Sequence, residues 1–179
     1  MKEKNLLFDG VILKKLVCHQ DSRGVFTELH RNEWWPDNQE IPIQWNFVTS
    51  HANVLRGMHV HIKHMDYLSC AQGKMIIYLC DLRKKSPNFR SIIEVTLSSA
   101  QMSVLIIPPL VAHAFYFKEA GCHVYGVSQY FSSDDELGCI YSDTDLNLAL
   151  PTDNPILSER DKKAGSLRQL LEIIEPYQL

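Results

Sequence analysis

The sequence predicts an all-β protein, an antiparallel sandwich or barrel with a short helical tail, and three observations lead there. First, segments 74–83 (KMIIYLCDLR), 91–98 (SIIEVTLS), 103–109 (SVLIIPP), 113–117 (HAFYF) and 122–131 (CHVYGVSQYF) are rich in β-branched and aromatic residues. Such side chains pack well on a pleated, half-buried surface. Second, turn formers such as KKSPN and KEAG separate these segments and no helical period lies between them, which favours antiparallel neighbours over a parallel α/β sheet. Third, helical periodicity is found mainly at the end. In SLRQLLEIIEP, Leu167, Leu170, Leu171 and Ile174 follow the i, i+3, i+4, i+7 spacing and Pro176 stops it.

A chain of 179 residues favours one domain, expected over 1–179, with a substantial core. The composition is 45% hydrophobic and 22% charged, the balance of an ordinary soluble globular protein. A net charge of -3 leaves no basic surplus to meet phosphates, so neither a nucleic acid nor a membrane is expected as a partner. A few well-placed arginines are still enough to hold one diphosphate. The N-terminal MKEKNLLFDGVILKK lacks the apolar core and small-residue cleavage site of a signal peptide, and no apolar run approaches the roughly 18 residues needed to span a bilayer. The five cysteines, Cys18, Cys70, Cys80, Cys122 and Cys139, are scattered and form no C-x-x-C pair. They read as buried small hydrophobes of a protein in a reducing cytoplasm.

Chemistry concentrates in RGMHVHIKHMDY, residues 56–67, which carries His59, His61, His64 and Asp66. Alternate residues on a strand face the same way, so His59 and His61 can both point inward. One reading is a metal centre. Small β-barrels of the cupin type hold first-row metals with two histidines on one strand, a carboxylate soon after and a third histidine on a later strand. His59, His61, Asp66 and His113 resemble that pattern, with Asp where Glu is usual, and three imidazoles with one carboxylate suit a transition metal. The other reading needs no ion: a single histidine, oriented and polarised by a carboxylate, is a general base.

Six motifs in register resemble a known family. DSRGVFTE (21–28), QWN (44–46), VLRGMH (54–59), DLRKKSPNF (81–89), IPPLVAHAF (107–115) and LSERD (157–161) are similar, in order, to the markers of nucleotide-sugar epimerases typified by dTDP-4-dehydrorhamnose 3,5-epimerase. The resemblance runs from about residue 8 to residue 165 and implies a cupin-type jelly-roll β-barrel with short C-terminal helices, without metal or other cofactor. It implies epimerisation at C3 and/or C5 of a dTDP- or CDP-linked 4-keto-6-deoxyhexose by proton abstraction, enolate formation and re-protonation, in deoxysugar and lipopolysaccharide O-antigen biosynthesis. By the same matching His59 is the base, Asp161 its partner carboxylate, Tyr125 the acid on the other face and His113 a second histidine shaping the enolate site. Arg56 is placed near the diphosphate, with Gln44 and Asn46 near sugar and phosphates. Arg160 stands where the family has Lys. Arg23, Phe26 and Glu28 match residues that reach across a homodimer interface to the nucleotide, Phe26 stacking on the base.

Read without the resemblance, several of these residues have plainer roles. Gly24 supplies a positive φ, Phe26 and Tyr125 are core aromatics, and Ser158 caps a helical turn below Asp161. Asp81 and Arg83 read as a solvent-side pair bracing the KKSPNF turn. The chain also departs from the family at four points. Asp66 stands where a lysine would stabilise the enolate oxygen, after a loop about three residues shorter, and His61 replaces a common Gln. Leu110 replaces Gly in PPLVAH, and Phe131 replaces a second Tyr. An ionised carboxylate beside a developing oxyanion opposes the reaction, so either Asp66 points elsewhere or another cation substitutes, with Lys63, His61 and His64 as candidates. These changes lead us to expect a divergent epimerase that inverts one centre or takes another nucleotide.

Overall fold

Successive side chains of a strand point to opposite faces, so each strand has one face for a shared core and another for solvent or a second layer. A computed structural model describes residues 7–34 and 40–178. Residues 1–6, 35–39 and 179 lie outside it, and with them the start of the N-terminal segment and the ends of the domain expected over 1–179. In chain order the strands are β1 (Ile12–Lys15), β2 (Cys18–Asp21), β3 (Gly24–Thr27), β4 (Gln44–Ser50), β5 (Val54–Val60) and β6 (Asp66–Gln72). They continue with β7 (Lys74–Asp81), β8 (Ile92–Ser98), β9 (Ser103–Ile107), β10 (Val111–Phe117), β11 (Gly121–Val127) and β12 (Leu137–Gly138). Two helices follow, α1 (Glu159–Lys162) and α2 (Leu167–Ile174).

One five-stranded sheet has the order β1-β9-β6-β11-β4, a second has the order β12-β5-β10-β7-β8, and β2 and β3 form a separate hairpin. The strands within each sheet pair antiparallel. The antiparallel β fold with short C-terminal helices is therefore as expected. Among the described residues the two sheets are not hydrogen-bonded into one closed barrel, and β4 and β1 are the edge strands of the first sheet.

Three apolar layers hold the sheets. Leu68, Leu105 and Ile107 from the first sheet meet Ile77, Leu79, Val111 and Phe117 from the second in the central core. The other face of the second sheet, with Tyr78, Cys80, Ala112 and Ala114, is covered by Leu167, Leu170 and Ile174 of α2. Burial on both faces explains why β7 reads as an almost unbroken apolar run. The outer face of the first sheet carries Tyr67, Val104 and Ile106 under Leu16, Leu29 and Trp34. α2 starts at a capping box, Ser166 with Gln169, and ends in a single 3-10 turn containing Pro176. Each fully buried leucine of that helix contributes on the order of 1.5–3 kcal/mol by leaving water.

Two expectations are corrected. Asp81 is fully buried, not solvent-side; it braces the turn by accepting hydrogen bonds from Arg83 and from Ser86 Oγ at 2.7 Å. Burial pushes its carboxyl up, but those donors outweigh burial and hold it below the usual carboxylate range. Of the five thiols, four are buried and Cys18 on β2 is exposed.

The hinge of the whole arrangement is Gly57. His113 pairs with His59 and Phe115 with Arg56, so β5 carries one extra residue against β10 at this point. Strict alternation from Arg56 would send Met58 inward. The bulge instead turns both Arg56 and His59 to the same face and buries Met58 in the outer layer. Gly57 has φ 115°, and a Cβ there would lie 2.5 Å from His113 O and 2.8 Å from Ala114 Cα. Gly57→Ala is therefore expected to lower the stability measured by chemical denaturation by about 1–3 kcal/mol. An unchanged denaturation midpoint would show that β5 and β10 need not approach so closely.

Candidate active site

The inward faces of the two sheets meet in a cavity of about 510 Å³. β4 contributes Gln44 and Asn46, β6 Asp66, and β11 His123 and Tyr125, all at alternate positions facing the second sheet. From the second sheet come Arg56 and His59 on β5 and His113 and Phe115 on β10, with His61 and His64 just beyond β5. Glu136, Arg160 and Asp161 also line the cavity. Of the eleven residues that the resemblance implies act or bind, the cavity holds eight, His59, Asp161, Tyr125, His113, Gln44, Asn46, Arg56 and Arg160; His61 and Asp66 of the metal reading line it as well.

His59 Nε2 lies 2.7 Å from Asp161 Oδ1. Asp161 is presented by α1, whose N-cap Ser158 accepts a hydrogen bond from Asp161 N at 3.1 Å. Burial pushes the Asp161 carboxyl up, but the hydrogen bond to His59 and the charge of that ring more than offset it, so it sits below the usual range. A carboxylate so held accepts, which makes His59 the donor through Nε2–H and leaves the lone pair on Nδ1. Tyr125 belongs to the opposite sheet. Burial, and then the negative charge of Asp66, raise its phenol above the usual value and keep it protonated.

Polar groups for a ligand are held in place from outside. Arg56 Nε donates to Ser50 Oγ at 3.1 Å and Nη2 to Thr49 O at 3.1 Å. Gln44 donates to Asn46 Oδ1 at 3.2 Å and accepts from Phe131 N at 3.1 Å. Asn46 Nδ2 is buried without a partner among the described residues. Arg160 is forked onto Glu136 at 2.9 Å.

Asp66 does not point elsewhere. It lines the cavity, 6% exposed, and burial above all raises its carboxyl to about 7. Lys63, offered as a replacement cation, is exposed and does not line the cavity. His61 and His64 do line it. Burial, foremost, lowers His61 and lowers His113 well below an ordinary imidazole. The metal set expected as His59, His61, Asp66 and His113 is also revised. Ligand atoms of His61, Asp66 and His113 lie within 4.8 Å of one another, whereas His59 is committed to Asp161. Leu110 keeps φ 63°, the left-handed conformation suited to glycine, and hydrogen bonds to His61 O at 2.8 Å and from Leu82 N at 3.0 Å hold it there.

Arg23, Phe26 and Glu28 are not brought to this cavity. Arg23 pairs with Asp21 at 2.6 Å and Glu28 with Arg31 at 2.6 Å, and Phe26 is 64% exposed on the β2–β3 hairpin. Residues the sequence reading missed are Phe115, His123, Asp135 and Glu136. The acidic run DDE at 134–136 was the one available signal for the last two.

The family model described as dTDP-4-dehydrorhamnose 3,5-epimerase matches residues 5–169. A relative of that name from Shigella flexneri is 30% identical over 148 residues, 79% of this chain and 82% of its own. The solved dTDP-4-dehydrorhamnose 3,5-epimerase from Bacillus anthracis, with TDP and PPi bound, is 28% identical with a TM-score of 0.84, covering 93% of this chain and 98% of that one. A 3′-monoepimerase from Streptomyces bikiniensis in complex with dTDP-quinovose is 26% identical with a TM-score of 0.84, covering 96% of this chain and 88% of that one.

His123 gives the site a measurable acid sensitivity. It is 1% exposed with Nδ1 unpaired among the described residues, and burial, then the charge of Arg56, lowers it from 6.5 to about 4. Below pH 6.5 the unfolded chain takes up a proton that the folded one refuses until about pH 4, so stability falls through that window. His123→Phe is expected to remove about 3 kcal/mol of that acid-side loss; an identical pH–stability curve for the variant would contradict it.

Proposed function

The chain belongs to the dTDP-4-dehydrorhamnose 3,5-epimerase family, and from that membership we propose that it epimerises C3 and/or C5 of a dTDP- or CDP-linked 4-keto-6-deoxyhexose. The observation that carries this reading is the His59–Asp161 contact at 2.7 Å, set in a cavity whose opposite wall carries Tyr125.

The C4 ketone acidifies the hydrogens on its two neighbouring carbons. His59 Nδ1 takes one of them, and the imidazolium that results is stabilised by Asp161 through Nε2–H. Electrons from the broken C–H bond flow into the carbonyl to give an enolate. Tyr125, on the other face of the ring, returns a proton to the same carbon and inverts it. A phenol is a poor donor to water but a suitable one to a strongly basic enolate carbon. His113 shapes the ketone end. Arg56 faces the diphosphate, Gln44 and the unpaired Asn46 Nδ2 face sugar and phosphates, and Arg160 adds positive charge near the rim.

The nucleotide is bound with help from a second copy of the chain. In a homodimer, Arg23, Phe26 and Glu28 of the β2–β3 hairpin reach the partner's cavity, with Phe26 stacking on the base. Support comes from the exposure of Arg23 and Phe26 and from β4, an edge strand among the described residues, whose outward side chains Trp45 and Phe47 are 42% and 64% exposed. No helix among the described residues is long and apolar enough to cross a membrane. A cytoplasmic enzyme of deoxysugar and O-antigen biosynthesis accords with that.

Proton NMR in D₂O tests the reaction. Deuterium is expected to enter C3 or C5 of a dTDP- or CDP-4-keto-6-deoxyhexose, and entry at neither position with any such substrate would rule the reading out. Asp161→Asn, which keeps the shape but loses the carboxylate, is expected to lower kcat by about 10²–10⁴-fold with little change in KM. If His59→Ala leaves the exchange rate unchanged, His59 is not the base; nucleotide-sugar binding with no exchange in the unsubstituted protein would make the chain a non-catalytic binder.

A further inference from the structure

At the inner end of the cavity three imidazoles surround one carboxylate without bonding to it. His61 Nε2 and His113 Nε2 lie 3.7 and 3.8 Å from Asp66 Oδ2, and His64 Nε2 lies 3.9 Å from Oδ1. These distances exceed a hydrogen bond, and no other hydrogen-bond donor among the described residues reaches the Asp66 side chain. All four residues are buried.

The other nitrogen of each ring decides what faces Asp66. His61 Nδ1 lies 2.9 Å from Asp135 O, and His113 Nδ1 lies 3.3 Å from Val111 O. A carbonyl only accepts, so both rings are Nδ1–H donors there. His64 Nδ1 lies 2.7 Å from Asp135 Oδ2, while Asp135 Oδ1 accepts from Ile62 N at 2.6 Å and Lys63 N at 3.1 Å. In the neutral rings the Nε2 lone pairs of His61 and His113 consequently face the Asp66 carboxyl group, an arrangement that favours a cation between them.

We propose that His61, Asp66 and His113, whose ligand atoms lie within 4.8 Å of one another, bind one divalent first-row transition-metal ion. An ion about 2.1 Å from each donor atom separates neighbouring donors by about 3–4 Å, and the gaps of 3.7 and 3.8 Å from the two imidazoles to Asp66 Oδ2 fit that requirement. Two imidazoles and a carboxylate are a chemically suitable set for such an ion. Asp135 and Val111 act as positioning residues, since acceptors on the far nitrogens fix the tautomer and aim of ligating rings. Resting on the epimerase reading above, the ion supplies positive charge at the ketone end of the cavity. There the family pattern has a lysine and this chain has Asp66, and no lysine or arginine among the described residues pairs with Asp66. His59 stays outside the set as the base.

The test uses full-length protein stripped with chelator and titrated with Co²⁺ alone, read by visible d–d absorption and by metal content after desalting. One equivalent is expected to bind, with affinity at least about 100-fold weaker in Asp66→Asn and in His61→Gln, circular dichroism confirming that both fold, and unaltered in His59→Asn. No saturable absorption, or binding unaffected by both ligand variants, would overturn the site. Exchange of C3 or C5 hydrogen in D₂O separates site from role: restoration by metal supports the role, and full exchange in stripped protein overturns it. A metal-loaded protein that exchanges neither hydrogen would overturn the epimerase reading while leaving the site standing.

Discussion

The contact between His59 and Asp161, side chains 102 positions apart in the chain, is the constraint around which the site is organised. It requires β5 to carry its extra residue so that His59 faces the cavity, and it requires α1 to stand where Ser158 can cap the turn under Asp161. It also fixes which nitrogen of His59 is free. A carboxylate that accepts from Nε2–H leaves the lone pair on Nδ1, which is the atom the proposed reaction uses. Without this contact, His59 would be one more half-buried polar ring lining the cavity.

The cavity has a division of labour along its length. Toward α1 stand a carboxylate below its usual range and an imidazole, the parts of a base. At the inner end the ordering is reversed, with a carboxyl raised to about 7 and histidines lowered by burial. The same solvent exclusion that lowers the charge of the inner groups strengthens any electrostatic effect on a ketone placed beside them. Of the departures from the family pattern, Asp66 and His61 lie together at this inner end, Leu110 donates to His61 O, and Phe131 stands apart against Gln44.

Much of the fold was legible because its signals are local. β-branched and aromatic runs gave β7 to β11, and the Leu167, Leu170 and Ile174 spacing gave α2, which buries those three residues. The site was legible in the order of its motifs, since His59, Asp161, Tyr125 and His113 fall on separate elements that only the fold brings together. What escaped reading depended on packing geometry. The bulge at Gly57 reverses the inward parity between Arg56 and His59, and no alternation rule supplies that. Asp81 looked solvent-side because its partners Arg83 and Ser86 are local, whereas its burial is set by the layers around it. Asp135 sits in an acidic stretch that reads as surface, yet it holds two imidazoles through one backbone and one side-chain oxygen.

The most direct test of the His59–Asp161 account is the tautomer of His59, read from long-range ¹⁵N–¹H NMR correlations of uniformly labelled protein and assigned by their loss in His59→Gln. The account predicts a protonated Nε2 and an unprotonated Nδ1 at neutral pH, with the Nε2–H signal displaced when Asp161 is changed to Asn. A ring protonated at Nδ1 with its lone pair on Nε2, or a signal indifferent to Asp161, would contradict it.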